Sequence, residues 1–187
     1  LLSGGRIERI DDSISPKNNT VQIVDGGGKL LIPGVIDTQV HFRETGLTHK
    51  ADLTTESMAA VAGGVTSYVE QPNTVPAATT LELLEAKFAR AAEVSWANYS
   101  FSLGASNTNL EELKRASKRD VAAIKMFLGS STGDLLVDDP AAVERIFREV
   151  DHQLIAHCED EPTMRANLER LIEEPEPGYL LGAGVAA

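Results

Sequence analysis

The chain has 187 residues and a formal net charge of −11, with 28 acidic side chains against 17 basic ones. This negative charge argues against nucleic-acid and anionic-membrane partners, because both would require a basic surface. A single cysteine excludes an intrachain disulfide, and the sequence shows neither a leader pattern nor an apolar run of about 18 residues that could span a membrane. We therefore expect a cytoplasmic protein that acts on a small molecule.

Residues 1–32 alternate short apolar segments with polar or glycine-rich turns. Their composition predicts strands over residues 6–10, 20–24 and 29–32, with a hairpin turn at the consecutive glycines 26–28. A phosphate-binding loop is the less favoured interpretation of these glycines, because neither a helix nor a Gly-Lys-Ser/Thr ending follows them. The first 32 residues are therefore predicted to be rich in short strands.

A predicted strand over residues 35–42 carries the most informative pattern in the chain. It follows the turn-forming pair Pro33 and Gly34 and is rich in β-branched and aromatic residues. Because side chains alternate along a strand, its polar and ionisable residues share one face and its largely apolar residues share the other. The first face is predicted to hold Asp37, Gln39, His41 and Arg43. The second face is predicted to hold Ile36, Thr38, Val40 and Phe42.

This division is typical of a barrel strand whose inner face ends in a catalytic site, because the apolar face packs against helices. An ordinary amphipathic strand with a hydrated polar face is the alternative. Aspartate, glutamine, histidine and arginine in sequence offer metal ligands and an anion-binding group, so the pattern favours a site.

From residue 51 onwards, predicted helices and strands alternate, which favours βα units around a parallel sheet. Helices are predicted over residues 51–62, 79–93, 109–118, 139–150 and 162–173. Strands are predicted over residues 65–70, 96–103, 121–128 and 152–157. The fold class is therefore α/β. A complete (β/α)8 TIM-type barrel needs roughly 200 to 250 residues, so only about five βα units of such a barrel are expected.

Several predicted helices have identifiable starts. Thr79 and Glu82 form a capping box, and Asn109 and Asp139 are candidate N-caps. The helix that begins at Asp139 is predicted to pack against the sheet through one apolar face. That face consists of Val143, Ile146, Phe147 and Val150.

Two further residues stand out on their strands. Lys125 is the only charge in residues 121–128, and a buried ammonium group needs either an acid partner or loss of its proton. A structural lysine that extends to the end of the barrel is the alternative. His157 ends a predicted strand, where barrel enzymes place catalytic residues, whereas a core histidine is the general alternative. Cys158 has the opposite parity and is predicted to pack against the helices.

Four motifs, in this order, resemble those of the dihydroorotases, which belong to the amidohydrolase superfamily. Residues 37–44 resemble the family's Asp-x-His-x-His-x-Arg-Glu strand, with Gln39 in place of the first histidine. Residues 71–76 resemble its Met-Pro-Asn-Thr-x-Pro loop, residues 124–133 its lysine strand, and residues 157–159 its His-Cys-Glu segment. Four motifs in the correct order are far more specific than any one of them.

The resemblance implies a domain organisation. Residues 1–32 are expected to be part of a small β-sandwich, and residues 33–174 the first five βα units of a metal-dependent hydrolase barrel. Residues 175–187 would form a tail without an assigned role. A homodimer is an assembly that the resemblance allows.

The resemblance also implies a zinc site, expected to hold two ions. Lys125, carbamylated by carbon dioxide at its neutral amine, is expected to bridge the ions, and His41 and His157 to bind them. Gln39 is kept as a metal-site residue without an assigned role, because a neutral amide oxygen binds zinc more weakly than imidazole does.

Substrate binding is assigned by resemblance to Arg43 and Asn73. A guanidinium group suits bidentate binding of a carboxylate, and an amide can hydrogen-bond a carboxylate or a ring carbonyl. The aspartate that acts as general acid and base in the family has no counterpart after His157 and is expected beyond residue 187. The catalytic residue is therefore unknown here, and residues 1–187 alone are expected to be inactive.

The implied reaction is the reversible cyclisation of N-carbamoyl-L-aspartate to dihydroorotate in de novo pyrimidine (UMP) biosynthesis. Allantoinase and dihydropyrimidinase are the enzymatic alternatives, but their substrates carry no carboxylate that needs Arg43. A non-catalytic dihydroorotase-like protein that stabilises a partner enzyme is the alternative from another class, and Gln39 favours it.

Overall fold

The computed structural model describes residues 1–16, 18–129, 131 and 133–173. The chain divides into two compact units, Leu1–Pro33 and Gly34–Ala187. Within the described ranges, no helix is both long enough and apolar enough to cross a membrane.

The first unit contains a short hairpin. Strand β1 (Leu2–Ser3) pairs antiparallel with strand β2 (Arg6–Ile7). The strand predicted over residues 6–10 is therefore shorter than expected, and the strands predicted over residues 20–24 and 29–32 are wrong. The apolar side chains of these two segments are largely exposed, so the segments lack the burial that stabilises a strand.

The second unit contains a five-stranded parallel sheet in which strand order follows chain order. Its strands are β3 (Val35–Val40), β4 (Val65–Glu70), β5 (Asn98–Gly104), β6 (Ala123–Phe127) and β7 (Leu154–His157). Its α-helices are α1 (Leu53–Ala62), α2 (Leu81–Val94), α3 (Leu110–Arg115), α4 (Pro140–Glu149) and α5 (Glu161–Glu173), and a short 3-10 helix covers Gly133–Leu135. Each pair of neighbouring strands is joined by a crossover, as in consecutive units of a (β/α)8 barrel. The predicted α/β class and partial TIM-type barrel are confirmed.

Two predicted helix starts need correction. The N-cap of α2 is Thr80, whose hydroxyl accepts a hydrogen bond from the Leu83 backbone N–H at 3.2 Å, so the capping box predicted at Thr79 is wrong by one residue. Asn109 precedes α3 as predicted, but its side chain caps no helical N–H and instead accepts from the Ser106 backbone N–H. Polar side chains still fix both starts, because each satisfies a backbone donor near the helix end.

The core lies between the sheet and the helices that cover one of its faces, called the outer face here. Phe101 of β5 is fully buried there, and the ring of Phe88 from α2 meets it edge-on at 4.9 Å. Ile146 of α4 is buried as predicted, whereas Phe147 is wrong as a core residue, since it is 59% exposed. Phe147 follows Ile146 directly, and adjacent helical positions point about 100° apart, so Phe147 lies outside the stripe that Ala142 and Ile146 bury.

A β-bulge interrupts β3. Asp37 lies opposite Tyr68 and Val40 lies opposite Glu70, so three steps along β3 match two steps along β4. One extra residue reverses the side-chain alternation, which places Asp37 on the outer face together with Val40. Phe42 also belongs to the outer face, because its ring centroid lies 4.5 Å from that of Tyr68.

The bulge corrects two predicted side-chain directions. Asp37 does not share a face with His41, and its carboxylate instead accepts the backbone N–H of Gln39 at 3.0 Å. Ile36 lies opposite Ser67, on the face that looks away from the helices, and is 64% exposed. The predicted division into a polar face and an apolar face therefore holds only for the residues that follow the bulge.

Candidate active site

Three side chains of β6 and β7 lie close together on the inner face of the sheet, which is the face away from the helices. They are those of Lys125, Phe127 and His157. Lys125 lies opposite Ile155, and Phe127 lies opposite His157, so all four residues share this face. The rings of Phe127 and His157 stack with centroids 6.0 Å apart, and Lys125 Nζ lies 5.0 Å from the Phe127 ring centroid. Phe127 thus lies in contact with both the predicted bridging lysine and the predicted histidine ligand.

Lys125 is a buried amine. The residue is 2% exposed, and burial lowers the pKa of its ammonium group, while the nearby Cys158 acts weakly in the opposite direction. Among the described residues, no carboxylate forms an ion pair with it at up to 4.0 Å. Because no carboxylate stabilises the ammonium form, burial favours the neutral amine, which is the form that reacts with carbon dioxide.

His41 is fixed by the loop that follows β4. Its Nδ1 lies 2.8 Å from Asn73 Oδ1, and because an amide oxygen can only accept, Nδ1 carries the proton. Nε2 then has a free lone pair, which is the arrangement a metal ligand needs. Burial lowers the pKa of His41 more than the bond to Asn73 raises it. Its imidazole is therefore neutral at pH 7, in the form that binds a metal.

Electrostatics tie these residues into one site. The charges of Arg43, Lys125 and His157 each lower the pKa of His41. Arg43 also donates from Nη1 to the backbone oxygen of Asn73 at 3.4 Å. Hydrogen bonds thus join His41 and Arg43 to the Asn73 loop, and electrostatic interaction links His41 to Lys125 and His157.

Two sequence-based expectations differ from this arrangement. Gln39 lies exposed on the edge strand β3, and among the described residues its side chain forms no hydrogen bond with the cluster. Cys158, predicted to pack against the helices, is exposed, because β7 ends at His157 and strand alternation no longer fixes its direction. Sequence reasoning also missed Glu159, whose Oε1 lies 3.1 Å from His157 Nε2. The sequence signal for this contact was an acidic residue two positions after the predicted histidine ligand.

The cluster accommodates a metal only through the lysine. Among the side chains that the structure describes, no group of three or more histidine, cysteine, aspartate or glutamate residues could hold an ion. His41 and His157 offer imidazole nitrogens, and a carbamate on Lys125 would add two anionic oxygens between them. A buried amine without an acid partner fits this role, so the donor set fits zinc if Lys125 is carbamylated.

Two cavities are lined by residues outside this cluster. One of about 220 Å³ is lined by Thr45, Pro76, Ala78, Leu83, Ala86 and Lys87. A second of about 290 Å³ is lined by Ser106, Asn107, Thr108, Asp134, Leu136 and Asp138. Neither contains a predicted site residue, so the candidate site is the inner face of the sheet at the carboxyl ends of its strands.

Comparison with known proteins places the chain in a family. The family model described as dihydro-orotase-like matches residues 28–165. The dihydroorotase of Methanosarcina acetivorans is 32% identical over 176 residues, which cover 92% of this chain and 37% of that relative. The dihydroorotase of Wolbachia sp. is 41% identical over 112 residues, which cover 60% of this chain and 25% of the relative. The chain therefore spans well under half the length of these relatives.

Solved structures show the same fold. The L-hydantoinase (dihydropyrimidinase) from Arthrobacter aurescens matches with a TM-score of 0.77 at 23% identity, over 85% of this chain and 37% of that one. The inactive dihydroorotase-like domain of the Chaetomium thermophilum CAD-like multifunctional protein matches with a TM-score of 0.56 at 16% identity, over 76% of this chain and 42% of that one. At such identities these likenesses establish the architecture alone.

Proposed function

The chain belongs to the dihydroorotase-like family, and on this premise we propose that the intact protein is a dihydroorotase-type zinc hydrolase. It would interconvert N-carbamoyl-L-aspartate and dihydroorotate, the ring-closing step of de novo pyrimidine biosynthesis. The activity is proposed for the whole protein, because this chain covers only 37% of the Methanosarcina acetivorans relative.

The observation that carries this proposal is the position of Arg43 beside Asn73 and His41. Dihydroorotate differs from dihydropyrimidines, hydantoins and allantoin in carrying a ring carboxylate. A guanidinium group binds a carboxylate through two parallel hydrogen bonds, and among the described residues only the Asn73 carbonyl engages an Arg43 nitrogen, at 3.4 Å. The remaining donors are available for the substrate carboxylate, while the Asn73 loop can orient the ring.

We propose that His41, His157 and a carbamylated Lys125 would hold two zinc ions, to which the carbamate would supply the anionic ligand. The Lewis acidity that zinc supplies when bound polarises a cyclic amide carbonyl and acidifies the attacking water. Hydrolysis adds that water to the carbonyl carbon, breaks the ring C–N bond and leaves a carboxylate and a carbamoyl nitrogen. His41 serves this chemistry by presenting an unprotonated Nε2, which the bond from Nδ1 to Asn73 enforces.

A non-catalytic dihydroorotase-like protein is a second candidate. Gln39 favours it, because its exposed amide lies where the family has a histidine ligand. Zinc content separates the two candidates: the enzyme requires bound zinc in the intact protein, whereas the non-catalytic protein does not.

Substrate choice tests the proposed activity. The intact, zinc-loaded protein is expected to hydrolyse dihydroorotate in preference to hydantoin, allantoin and dihydrouracil, as measured by steady-state kinetics on each compound. Arg43→Lys should raise KM for dihydroorotate roughly 10- to 100-fold, equivalent to losing a hydrogen bond to a charged group of about 1.5–3 kcal/mol. Arg145→Lys on α4, where Arg145 pairs only with Glu149 among the described residues, is the matched control.

Either of two results would count against this account. Preference for the uncharged cyclic amides would contradict the proposed function itself. An unchanged KM in Arg43→Lys would leave the function standing but remove Arg43 from the substrate site.

A further inference from the structure

The two loops that carry the proposed substrate-binding residues are in direct contact. Residues 41–46, called the Arg43 loop here, follow β3, and residues 71–76, called the Asn73 loop, follow β4. Arg43 Nη1 donates to the Asn73 backbone oxygen at 3.4 Å, and His41 Nδ1 donates to Asn73 Oδ1 at 2.8 Å. The position of the Asn73 loop therefore decides where both side chains of the Arg43 loop are held.

Gly46 lies where the backbones of the two loops touch. Just before it, the backbone oxygen of Thr45 accepts the Val75 backbone N–H at 3.0 Å. A Cβ atom at Gly46 would overlap the backbone oxygen of Val75 and would lie 2.8 Å from its carbonyl carbon. The φ of Gly46 is 79°, a left-handed conformation that residues with a side chain rarely adopt. Close approach and backbone conformation therefore each require glycine at this position.

The Asn73 loop is hydrogen-bonded internally on both sides of the contact. The backbone N–H of Thr74 donates to the Pro72 oxygen at 2.9 Å, and the Thr74 hydroxyl donates to the Pro76 oxygen at 2.9 Å. Thr74 itself is only 6% exposed, so its side chain is held in place. A displacement of the Val75 backbone is therefore passed on to Asn73 rather than absorbed between the two residues.

Packing of the core does not explain this contact. Gly46 and Val75 are both exposed, so the contact buries little apolar surface. Glycine also loses more conformational freedom on folding than any other residue, which is a cost in an exposed loop. The feature that the contact does fix is the separation of the loop that carries Arg43 from the loop that carries Asn73.

We propose that Gly46 is a positioning residue: by letting the two loops touch, it places the Asn73 backbone oxygen against the Arg43 guanidinium and so sets the direction in which Arg43 meets the substrate carboxylate. This inference deepens the proposed function and rests on it. Gly46 contributes no side chain to the site, so its effect on dihydroorotate should pass largely through Arg43.

A double-mutant cycle in the intact, zinc-loaded protein tests this role. Gly46→Ala adds one methyl group against Val75, and Arg43→Met removes the guanidinium group while keeping an unbranched side chain. We expect the fall in kcat/KM for dihydroorotate that Gly46→Ala causes to be at least about 10-fold larger in the wild-type background than in the Arg43→Met background, as for residues that act through one another. The His41–Asn73 bond is common to both backgrounds, so this comparison isolates the part of the effect that Arg43 carries.

Gly64→Ala is the matched control. Gly64 is also exposed and left-handed, with a φ of 92°, and it precedes β4, at the opposite end of that strand from the Asn73 loop. In the described part of the chain, no atom outside the adjacent residues lies within 4 Å of the place its Cβ would take. The control therefore introduces similar backbone strain without the loop contact. Gly64→Ala should change kcat/KM by the same factor, within about twofold, in both backgrounds.

Gly46→Asn and Gly64→Asn repeat the comparison with less backbone strain, because asparagine tolerates the left-handed region better than most residues that have a Cβ. If Gly46→Ala does not fold, Gly46→Asn replaces it in the cycle. Equal effects in the two Arg43 backgrounds would overturn the inference, and so would a Gly46→Asn variant that does not fold, because Gly46 would then serve the fold. Wild-type protein without turnover of dihydroorotate would overturn the proposed function and this inference with it, whereas an active wild type separates the two.

Discussion

Replacing Lys125 by alanine in the intact protein is expected to remove most of its bound zinc and, with it, turnover of dihydroorotate. Lys125 is the one donor in the proposed set that supplies negative charge, through its carbamate, and it would contact both ions. Groups that only orient a metal ligand are worth about 10- to 100-fold in metal affinity, so loss of a bridging ligand should exceed about 100-fold. Zinc per protein, measured by elemental analysis after dialysis against dilute chelator, gives the result directly.

The zinc lost by variants of the other proposed metal-site residues provides the control. His157→Ala should also lose zinc sharply, because it removes an imidazole, whereas Gln39→Ala should lose little, because Gln39 lies exposed outside the cluster. Lys125→Met, which nearly preserves the buried volume, separates loss of the carbamate from loss of packing. Equal zinc loss in Lys125→Ala, His157→Ala and Gln39→Ala would contradict the proposed ligand set.

A polypeptide limited to residues 1–187 is expected to hydrolyse dihydroorotate at close to the background rate, even with zinc and bicarbonate supplied. Its parallel sheet has five strands, and β3 and β7 each pair with a single neighbour among the described strands. Such open edges favour association with other chains rather than an ordered site. A positioned general acid and base typically contributes about 10²- to 10⁴-fold in rate, and no residue after His157 was assigned that role.

The comparison is with the intact protein, assayed at the same zinc and protein concentrations. Size-exclusion chromatography of the shorter polypeptide distinguishes an inactive monomer from an aggregate. Turnover equal to that of the intact protein would mean that these five strands carry a complete active site, contrary to this account.

The sequence predicted the order of elements in the second unit because local signals specify them. Strand and helix periodicity, and side chains such as Asp139 at the start of α4, depend on neighbouring residues only. The common face of Lys125 and His157 was also predictable, since both lie on regular strands whose ends the sequence marks.

The bulge in β3 could not be predicted in this way. Whether Asp37 faces the helices depends on its pairing with Tyr68 of β4, and register is a property of two strands rather than of one. The failed strands over residues 20–24 and 29–32 have a similar cause, because an apolar segment forms a strand only where a partner covers it.

The buried ion pair between Glu70 and Lys87 left a signal in the sequence that was not used. Lys87 falls on the same helical stripe as Leu84 and Ala91, both of which are buried, and a lysine at such a position requires a buried partner. Glu70, the last residue of the strand before the Asn73 loop, was the available acid. A lysine at a core position of a periodic helix therefore indicated a buried ion pair.

The most direct test of the central claim, that Lys125 forms a carbamate in a zinc site, is carbon NMR of the intact protein loaded with zinc in isotopically labelled bicarbonate. The account predicts a carbamate carbon signal in the wild type that disappears in Lys125→Met and on removal of zinc. A wild-type protein that binds zinc stoichiometrically and turns over dihydroorotate without such a signal would contradict it.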